Sequence, residues 1–470
     1  MPLIEGTNSG PELLLALDRG VRRSLRSQLE DGLREAVRSG RLAARSRLPA
    51  TRVLAADLGV SRRLVVDAYA QLLAEGYLLA RPGAGTFVAD MASTLSEPAT
   101  EPTRDALAFD FFPGYPDLAS FPRSAWLRVM REALREAPDR ALGYPDPRGA
   151  PELRAAVAAH LRRVRGVVVD PGSIVVCSGA AQGFALLAKA LRSPRVAVED
   201  PGLPPHRAIL LANGATLVAL PVDGEGARVA ELSTLAAAGR IDAVLVTPAH
   251  QSPTGVALSP ARRAELLAWA ATSDGVIVED DYDAEYRYDR PPLAAMQGLA
   301  PERVVYMGTV SKTLAPALRL GWLVLPARLV DAVVGAKALS DGGCPTLEQL
   351  ALARLLDSGA YDRHLRTARR SYRARRDALV LALARHLPSA RVTGLAAGLH
   401  ACVRLERPVD GPKLLDAARA HSVGVYPLGY SFTEPRPVHD GLILGYANLT
   451  EPAIEEGIRR LVRALEEVAC

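Results

Sequence analysis

From Phe109 onward the chain alternates between short apolar runs and longer stretches of helical periodicity, and this restricts the fold more than any other feature. Helices are expected at 149–163 and 181–191, and strands at 174–177, 195–199, 216–220, 242–247 and 275–279. Strands that alternate with helices pair in parallel, so the expected architecture is an α/β domain on a mostly parallel sheet. No repeat of fixed period interrupts the pattern.

The first 90 residues read differently. Leu25, Leu29, Leu33, Ala36 and Val37 recur at helical spacing until Ser39-Gly40 stops the run. A short helix fits Thr51–Leu58, with Thr51 as its N-cap. After Gly59-Val60 a third helix fits Arg62–Glu75, capped by Ser61. Tyr77–Ala80 and Thr86–Ala89 flank the turn Arg81-Pro-Gly-Ala-Gly85 and read as a β-hairpin wing. Residues 19–63 carry twelve arginines against four acids, which suits a phosphate backbone; a solvated helical surface is the other reading of the charge. The stretch Ser39–Ala89 (SGRLAARSRLPATRVLAADLGVSRRLVVDAYAQLLAEGYLLARPGAGTFVA) resembles the GntR family of winged-helix regulators without a gap. The resemblance implies DNA contacts from Arg52, Ser61, Arg62, Arg63, Gly83, Gly85 and Thr86. A helix N-terminus and hydroxyl suit a phosphate, and arginine forks onto guanine edges. A helix-turn-helix used for protein contacts is the alternative.

Residues 91–108, which include the Ser/Thr/Pro/Glu-rich MASTLSEPATEPTRDA, read as a linker between a DNA-binding domain at 11–90 and a second domain at 109–470. No apolar run reaches the ~18 residues of a membrane span, and the N-terminus lacks a basic region followed by an apolar core. The four cysteines show no zinc spacing, so no metal site and a reducing cytoplasm are expected.

Lysine is rare here: Lys189, Lys312, Lys337 and Lys413 stand among 57 basic residues. Lys312 lies in TVSKTLAPALRLG, flanked by Thr309, Ser311 and Arg319, groups fit for phosphate. Ser178-Gly-Ala180 follows one expected strand and opens a helix, where backbone N–H groups can meet an anion. Thr247–Gly255 (TPAHQSPTG) is a loop after an apolar strand. Glu279-Asp-Asp-Tyr-Asp283 ends another, at the edge where parallel sheets bind ligands.

Together these motifs resemble the fold-type I, aspartate-aminotransferase-like proteins that bind pyridoxal 5′-phosphate (PLP), over residues 109–470. The resemblance implies a Schiff base on Lys312, which requires a primary amine. It also implies that Asp280 pairs with the pyridinium nitrogen and Tyr282 with the ring 3-oxygen. Gly179, Ala180, Thr309, Ser311 and Arg319 are expected to hold the phosphate. Tyr144, in GYPDPRGAPELR, matches a tyrosine that reaches the phosphate of the partner subunit, and His250 or Gln251 stands near the ring oxygen. A winged helix followed by such a domain resembles the MocR (GabR/PdxR-like) subfamily of GntR regulators, as do VEDPGLP, VEDDYDAEYRY and LILGYANL.

Two positions depart from the pattern. Where the family reads Pro-Gly-Tyr, this chain has Pro201-Gly202-Leu203, so Leu203 packs on the ring without an aromatic's stacking. The last strand, Gly441–Tyr446, lacks the arginine that holds substrate carboxylate in α-amino acid aminotransferases, and Ile443 sits about where it would be. This counts against ordinary enzyme activity and leaves Arg207 and Arg436 as candidate effector ligands, with surface arginines as the alternative. The expectation is a cytoplasmic, homodimeric regulator that binds operator DNA and senses PLP, an amine or an amino acid through Lys312. The alternative is an active aminotransferase with a vestigial DNA-binding head.

Overall fold

Leu29, Leu33 and Ala36 fall on one face of helix α1 (Leu25–Arg38), and that face is buried. The structure, a computed structural model, describes residues 17–90, 107–289, 293–394, 396–434, 436 and 438–469. The chain divides into two compact units, residues 1–105 and 106–470. Residues 11–16 of the expected DNA-binding domain, and 91–106 of the expected linker, lie outside the described residues.

In the first unit α1 packs with α2 (Thr51–Asp57) and α3 (Arg62–Ala74) around Leu29, Leu33, Leu54, Val65, Tyr69 and Leu72. Each fully buried leucine contributes about 1.5–3 kcal/mol. Ser61 caps α3, its hydroxyl accepting from the Leu64 N–H at 3.3 Å. Thr51 is not an N-cap: Ala50 holds that position without a side-chain bond, and Thr51 is already helical. The hairpin pairs β1 (Leu78–Arg81) with β2 (Gly85–Val88), Leu78 opposite Val88, so that both close over the same core. Gly83 at the turn has φ of 76°, which a residue with a Cβ rarely adopts.

In the second unit a sheet runs in the order Ile174–Cys177, Gly321–Val324, Val304–Thr309, Val276–Asp281, Ala243–Val246, Arg195–Asp200, Thr216–Asp223, Gly226–Ala227. The five strands from Val304–Thr309 to Thr216–Asp223 are mutually parallel. Gly321–Val324 is antiparallel to both neighbours, so Ile174–Cys177 again points with the parallel set. The expected helices appear as Pro151–Arg165 and Ala180–Ala190. Successive strand residues serve opposite faces. Val175, Val305 and Met307 pack with Phe184, Leu187 and Val333, while Ile174, Val176 and Tyr306 pack with Leu153, Leu161 and Leu355. Burial on both faces explains strands that read as apolar runs. A second sheet orders Arg391–Thr393, His400–Asp410, Val438–Gly445 and Tyr426–Pro427, all antiparallel. No helix among the described residues is long and apolar enough to cross a membrane.

Candidate cofactor site and nucleic-acid face

The basic charge of the first unit is divided by the fold. Arg23 and Arg34 pair with Asp31, Arg26 with Glu30, Arg34 also with Glu75, and Arg45 with Asp90. Such exposed pairs add little stability, but they neutralise that part of the surface. Arg52, Arg62 and Arg63 are exposed and form no ion pair or hydrogen bond among the described residues. They lie in the first turns of α2 and α3, where the N-terminal partial charge also favours an anion. Gly85, with φ of 110°, lets Arg47 lie against the wing: a Cβ there would stand 3.0 Å from its Nε. Thr86 is half-buried beside it.

In the second unit the carboxyl ends of three codirectional strands bring their following residues to one cavity of about 640 Å³. Cys177 ends the first, and Gly179 (φ 78°) turns the chain into the helix that starts at Ala180. A Cβ on Gly179 would lie 3.3 Å from Arg319 Nη1, so glycine permits the guanidinium to approach the turn. Arg319 donates to the Ser178 carbonyl. Thr309 ends the second strand, its Oγ1 lying 2.9 Å from Ser311 Oγ and accepting from the Ser311 N–H at 3.1 Å. A helix N-terminus, two hydroxyls and a guanidinium thus share one corner of the cavity, which includes Ala180, Thr309, Ser311 and Arg319. This is a donor set for a phosphate.

The third strand delivers Asp280. Its Oδ2 is buried without a hydrogen-bond partner. Burial pushes this carboxyl up to about 8, with Asp281 and Asp283 adding to the rise and Lys312 opposing it. The nearest ring, His206, stands 3.6 Å away and is itself pushed down to about 3 by burial and then by Lys312, so it presents no charge to Asp280. A protonated ring nitrogen at Oδ2 would restore the carboxylate. Lys312 faces the same cavity, and its side-chain amine forms no hydrogen bond or ion pair among the described residues. Burial lowers its pKa below the ordinary 10.5, against the pull of Asp283 and Asp280. A Cβ on Gly114 would lie 3.5 Å from Nζ, so the wall opposite the amine is bare backbone. The partnerless acid, the partnerless amine and the phosphate corner together fit pyridoxal phosphate. Lys312 would hold its aldehyde carbon, Asp280 its ring nitrogen and Tyr282 its ring oxygen.

Tyr282 lines the cavity and donates to the His250 carbonyl at 3.1 Å. Burial raises its hydroxyl well above the ordinary value, followed by the charges of Asp283 and Asp280, while a bond with Ser252 opposes the rise. His250 and Gln251, expected beside the ring oxygen, do not line the cavity. His250 turns its Nδ1 to Asp283 Oδ2 at 2.9 Å, and Gln251 is spent on the carbonyls of Pro201 and Ser252 at 2.9 and 2.7 Å. The loop residues that reach the cavity are Ser252 and Pro253, and the Ser252 hydroxyl was not among the residues singled out from the sequence. His206 and His400 also line it unforeseen. Leu203 is on the wall. Arg207 is outside, tied to the Ser431 and Phe432 carbonyls. Arg436 is exposed, 3.9 Å over the Phe432 ring. Tyr144 is fully exposed in the single chain. Among the described residues no cluster could hold a metal ion.

The chain is a winged-helix DNA-binding unit joined to an aminotransferase-type domain. Residues 25–88 match the bacterial regulatory proteins of the gntR family, and residues 115–461 match aminotransferase class I and II, a fold that implies pyridoxal phosphate. The chain is 36% identical over 475 residues to the probable rhizopine catabolism regulatory protein MocR of Rhizobium meliloti, covering 95% of each chain. It is 35% identical to the HTH-type pyridoxine biosynthesis transcriptional regulator PdxR of Corynebacterium glutamicum, over 85% of this chain and 87% of that one. Among solved structures, the kynurenine aminotransferase of Pyrococcus horikoshii, in complex with PMP, superimposes with a TM-score of 0.72 at 28% identity, over 78% of this chain and 92% of that one. The chain belongs to the MocR-type transcriptional regulators of the GntR family.

Proposed function

We propose that this regulator reads operator DNA with its winged helix and changes its DNA affinity when the second unit takes up pyridoxal phosphate, or an amine or amino acid that reacts with it. In this reading residues 11–90 bind DNA, 91–108 join the units, and 109–470 hold cofactor and dimerise. The cofactor supplies an aldehyde that condenses reversibly with a primary amine. The observation that carries the reading is the pairing, in one cavity, of a partnerless Lys312 with a buried, partnerless Asp280 oxygen. Arg52, Ser61, Arg62, Arg63, Gly83, Gly85 and Thr86 form the DNA contact. Dimerisation uses exposed apolar residues such as Leu127, Leu134 and Leu142, and Tyr144, also exposed, reaches the second copy.

The test is operator binding by wild type and Lys312→Ala, with and without pyridoxal phosphate and then with a panel of amines. Wild type is expected to respond, and the variant to bind operator without responding. The cofactor's differential affinity for the DNA-bound and the DNA-free protein sets the size of the response, typically ~1–3 kcal/mol. A folded variant that responds as fully as wild type would exclude Lys312 as the switch. A response to pyridoxal phosphate to which no amine adds identifies a vitamin B6 sensor; further change with one amine identifies that amine as effector.

A further inference from the structure

Lys337, one of the chain's four lysines, is completely buried in the helix Ala327–Asp341. An ammonium is costly to bury unless every proton finds an acceptor. Here three acceptors surround it: Gln182 Oε1 at 2.8 Å, Asp341 Oδ2 at 2.6 Å and Cys344 Sγ at 3.1 Å. A compact ammonium suits three acceptors set around a point, and a planar guanidinium does not, which accounts for lysine in a chain that otherwise uses arginine. The cluster leads to the cofactor cavity. Gln182 Oε1 also accepts from the Ser178 N–H at 2.8 Å, and Gln182 Nε2 donates to Asp341 Oδ2 at 2.8 Å. Cys344 Sγ stands 3.6 Å from Ser178 Oγ. Ser178 precedes Gly179 and Ala180, the turn assigned above to the phosphate. Asp341 is partly exposed, and although burial raises its pKa, bonds from Gln182 and Lys337 hold it below the ordinary value.

We infer that Lys337 is a positioning residue for the cofactor's phosphate: through Gln182 it fixes the Ser178–Ala180 turn. The inference rests on the reading of the cavity as a pyridoxal phosphate site. It predicts an effect confined to the phosphate, because the chain of bonds ends at that turn and none of its members lines the cavity beside Lys312 or Asp280.

Binding of pyridoxal phosphate and of pyridoxal, which lacks the phosphate, separates the two ideas. Each is titrated into wild type, Lys337→Met and Gln182→Leu, with capture on Lys312 fixed by borohydride and located by mass spectrometry. Lys337→Met leaves Asp341 free to hydrate, and melting curves establish that each variant is folded; if Lys337→Met does not fold, Gln182→Leu decides alone. Both variants are expected to bind pyridoxal phosphate about tenfold more weakly, equivalent to one factor of ten in Kd, while binding pyridoxal as wild type does. Equal losses for both ligands, or no loss for either, would overturn the inference alone. Failure of wild type to capture either ligand on Lys312 would overturn the cofactor reading and this inference with it.

Discussion

Arg207 donates to the Ser431 carbonyl at 2.8 Å and, with its other terminal nitrogen, to Phe432 at 2.9 Å. With each terminal nitrogen on a carbonyl, the guanidinium pins Ser431 and Phe432, at the end of Leu428–Ser431, to the helix Pro204–Ala212. Arg207→Met is therefore expected to cost stability, about 1–3 kcal/mol, while leaving any preference for carboxylate effectors unchanged. Denaturant unfolding and a comparison of effector responses check the two halves separately. Loss of the response to a carboxylate effector at unchanged stability would return Arg207 to the effector site.

Arg62→Ala is expected to weaken operator binding by about 1–3 kcal/mol if the side chain reads a base, or to flatten the salt dependence by about one unit if it contacts phosphate. Arg26→Ala is the control. Arg26 lies in the same basic stretch but is already paired with Glu30, so its removal should change operator affinity little. Titrations at several salt concentrations distinguish these outcomes. A triple variant lacking Arg52, Arg62 and Arg63 that still bound operator would remove the DNA assignment.

Asp280 makes the cofactor-free protein sensitive to pH in a defined direction. Its folded pKa, about 8, lies above the ordinary 3.8. Between those values the folded state binds more protons than the unfolded one, so this group's contribution to stability falls as pH rises. Glu199 and Glu279, pushed up to about 7 chiefly by burial, act in the same direction. Asp280→Asn is expected to remove this group's share of the slope, which is largest in the middle of the window and falls off at both ends. Melting temperatures of the two cofactor-free proteins across that window measure it, and parallel curves would contradict the assigned burial effect.

Lys312 titrates in the opposite sense. Burial disfavours its ammonium, so the neutral amine is present at lower pH than for a free lysine. The rate at which Lys312 captures pyridoxal phosphate should therefore rise with pH around a midpoint below that of free lysine. Stopped-flow absorbance provides the profile. A midpoint at or above the ordinary value would mean that Asp283 and Asp280 outweigh burial.

The sequence made these sites legible where chemistry follows local order. Ser61, Gly59 and the wing turn sit within one short-range pattern, and Asp280, Thr309 and Gly179 each follow an apolar run that a parallel sheet must end at its ligand edge. Legibility fails where no periodicity fixes direction. In the loop Thr247–Gly255 neither a period of two nor of 3.6 applies, so which of His250, Gln251 and Ser252 faces inward is decided by partners such as Asp283. Arg207 is turned by a carbonyl 224 residues away. Lys337 is buried against Gln182, 155 residues distant, and nothing in its own helix announces that.

The cavity also bears on what the effector looks like. Among the described residues, Arg319, at the phosphate corner, is the only arginine or lysine on its walls besides Lys312, and Ile443, which the sequence suggests stands about where a carboxylate-binding arginine would be, is on the wall as well. The walls of the cavity include the apolar and aromatic side chains of Phe112, Leu203, Tyr426 and Ile443. A bidentate arginine contributes about 1.5–3 kcal/mol toward a carboxylate, and this chain supplies none on those walls among the described residues. An α-amino acid should therefore act on the cofactor-loaded protein with less than about tenfold advantage over the amine that lacks its carboxylate. Multiple-turnover transamination of common α-amino acids should likewise fall far below the ~1–10³ s⁻¹ of ordinary enzymes. Matched pairs such as phenylalanine and phenethylamine, followed by cofactor absorbance and keto-acid yield, provide both measurements. Sustained keto-acid release at enzyme rates would show instead that a carboxylate is firmly held, and the protein would have to be read as an active aminotransferase carrying a DNA-binding head.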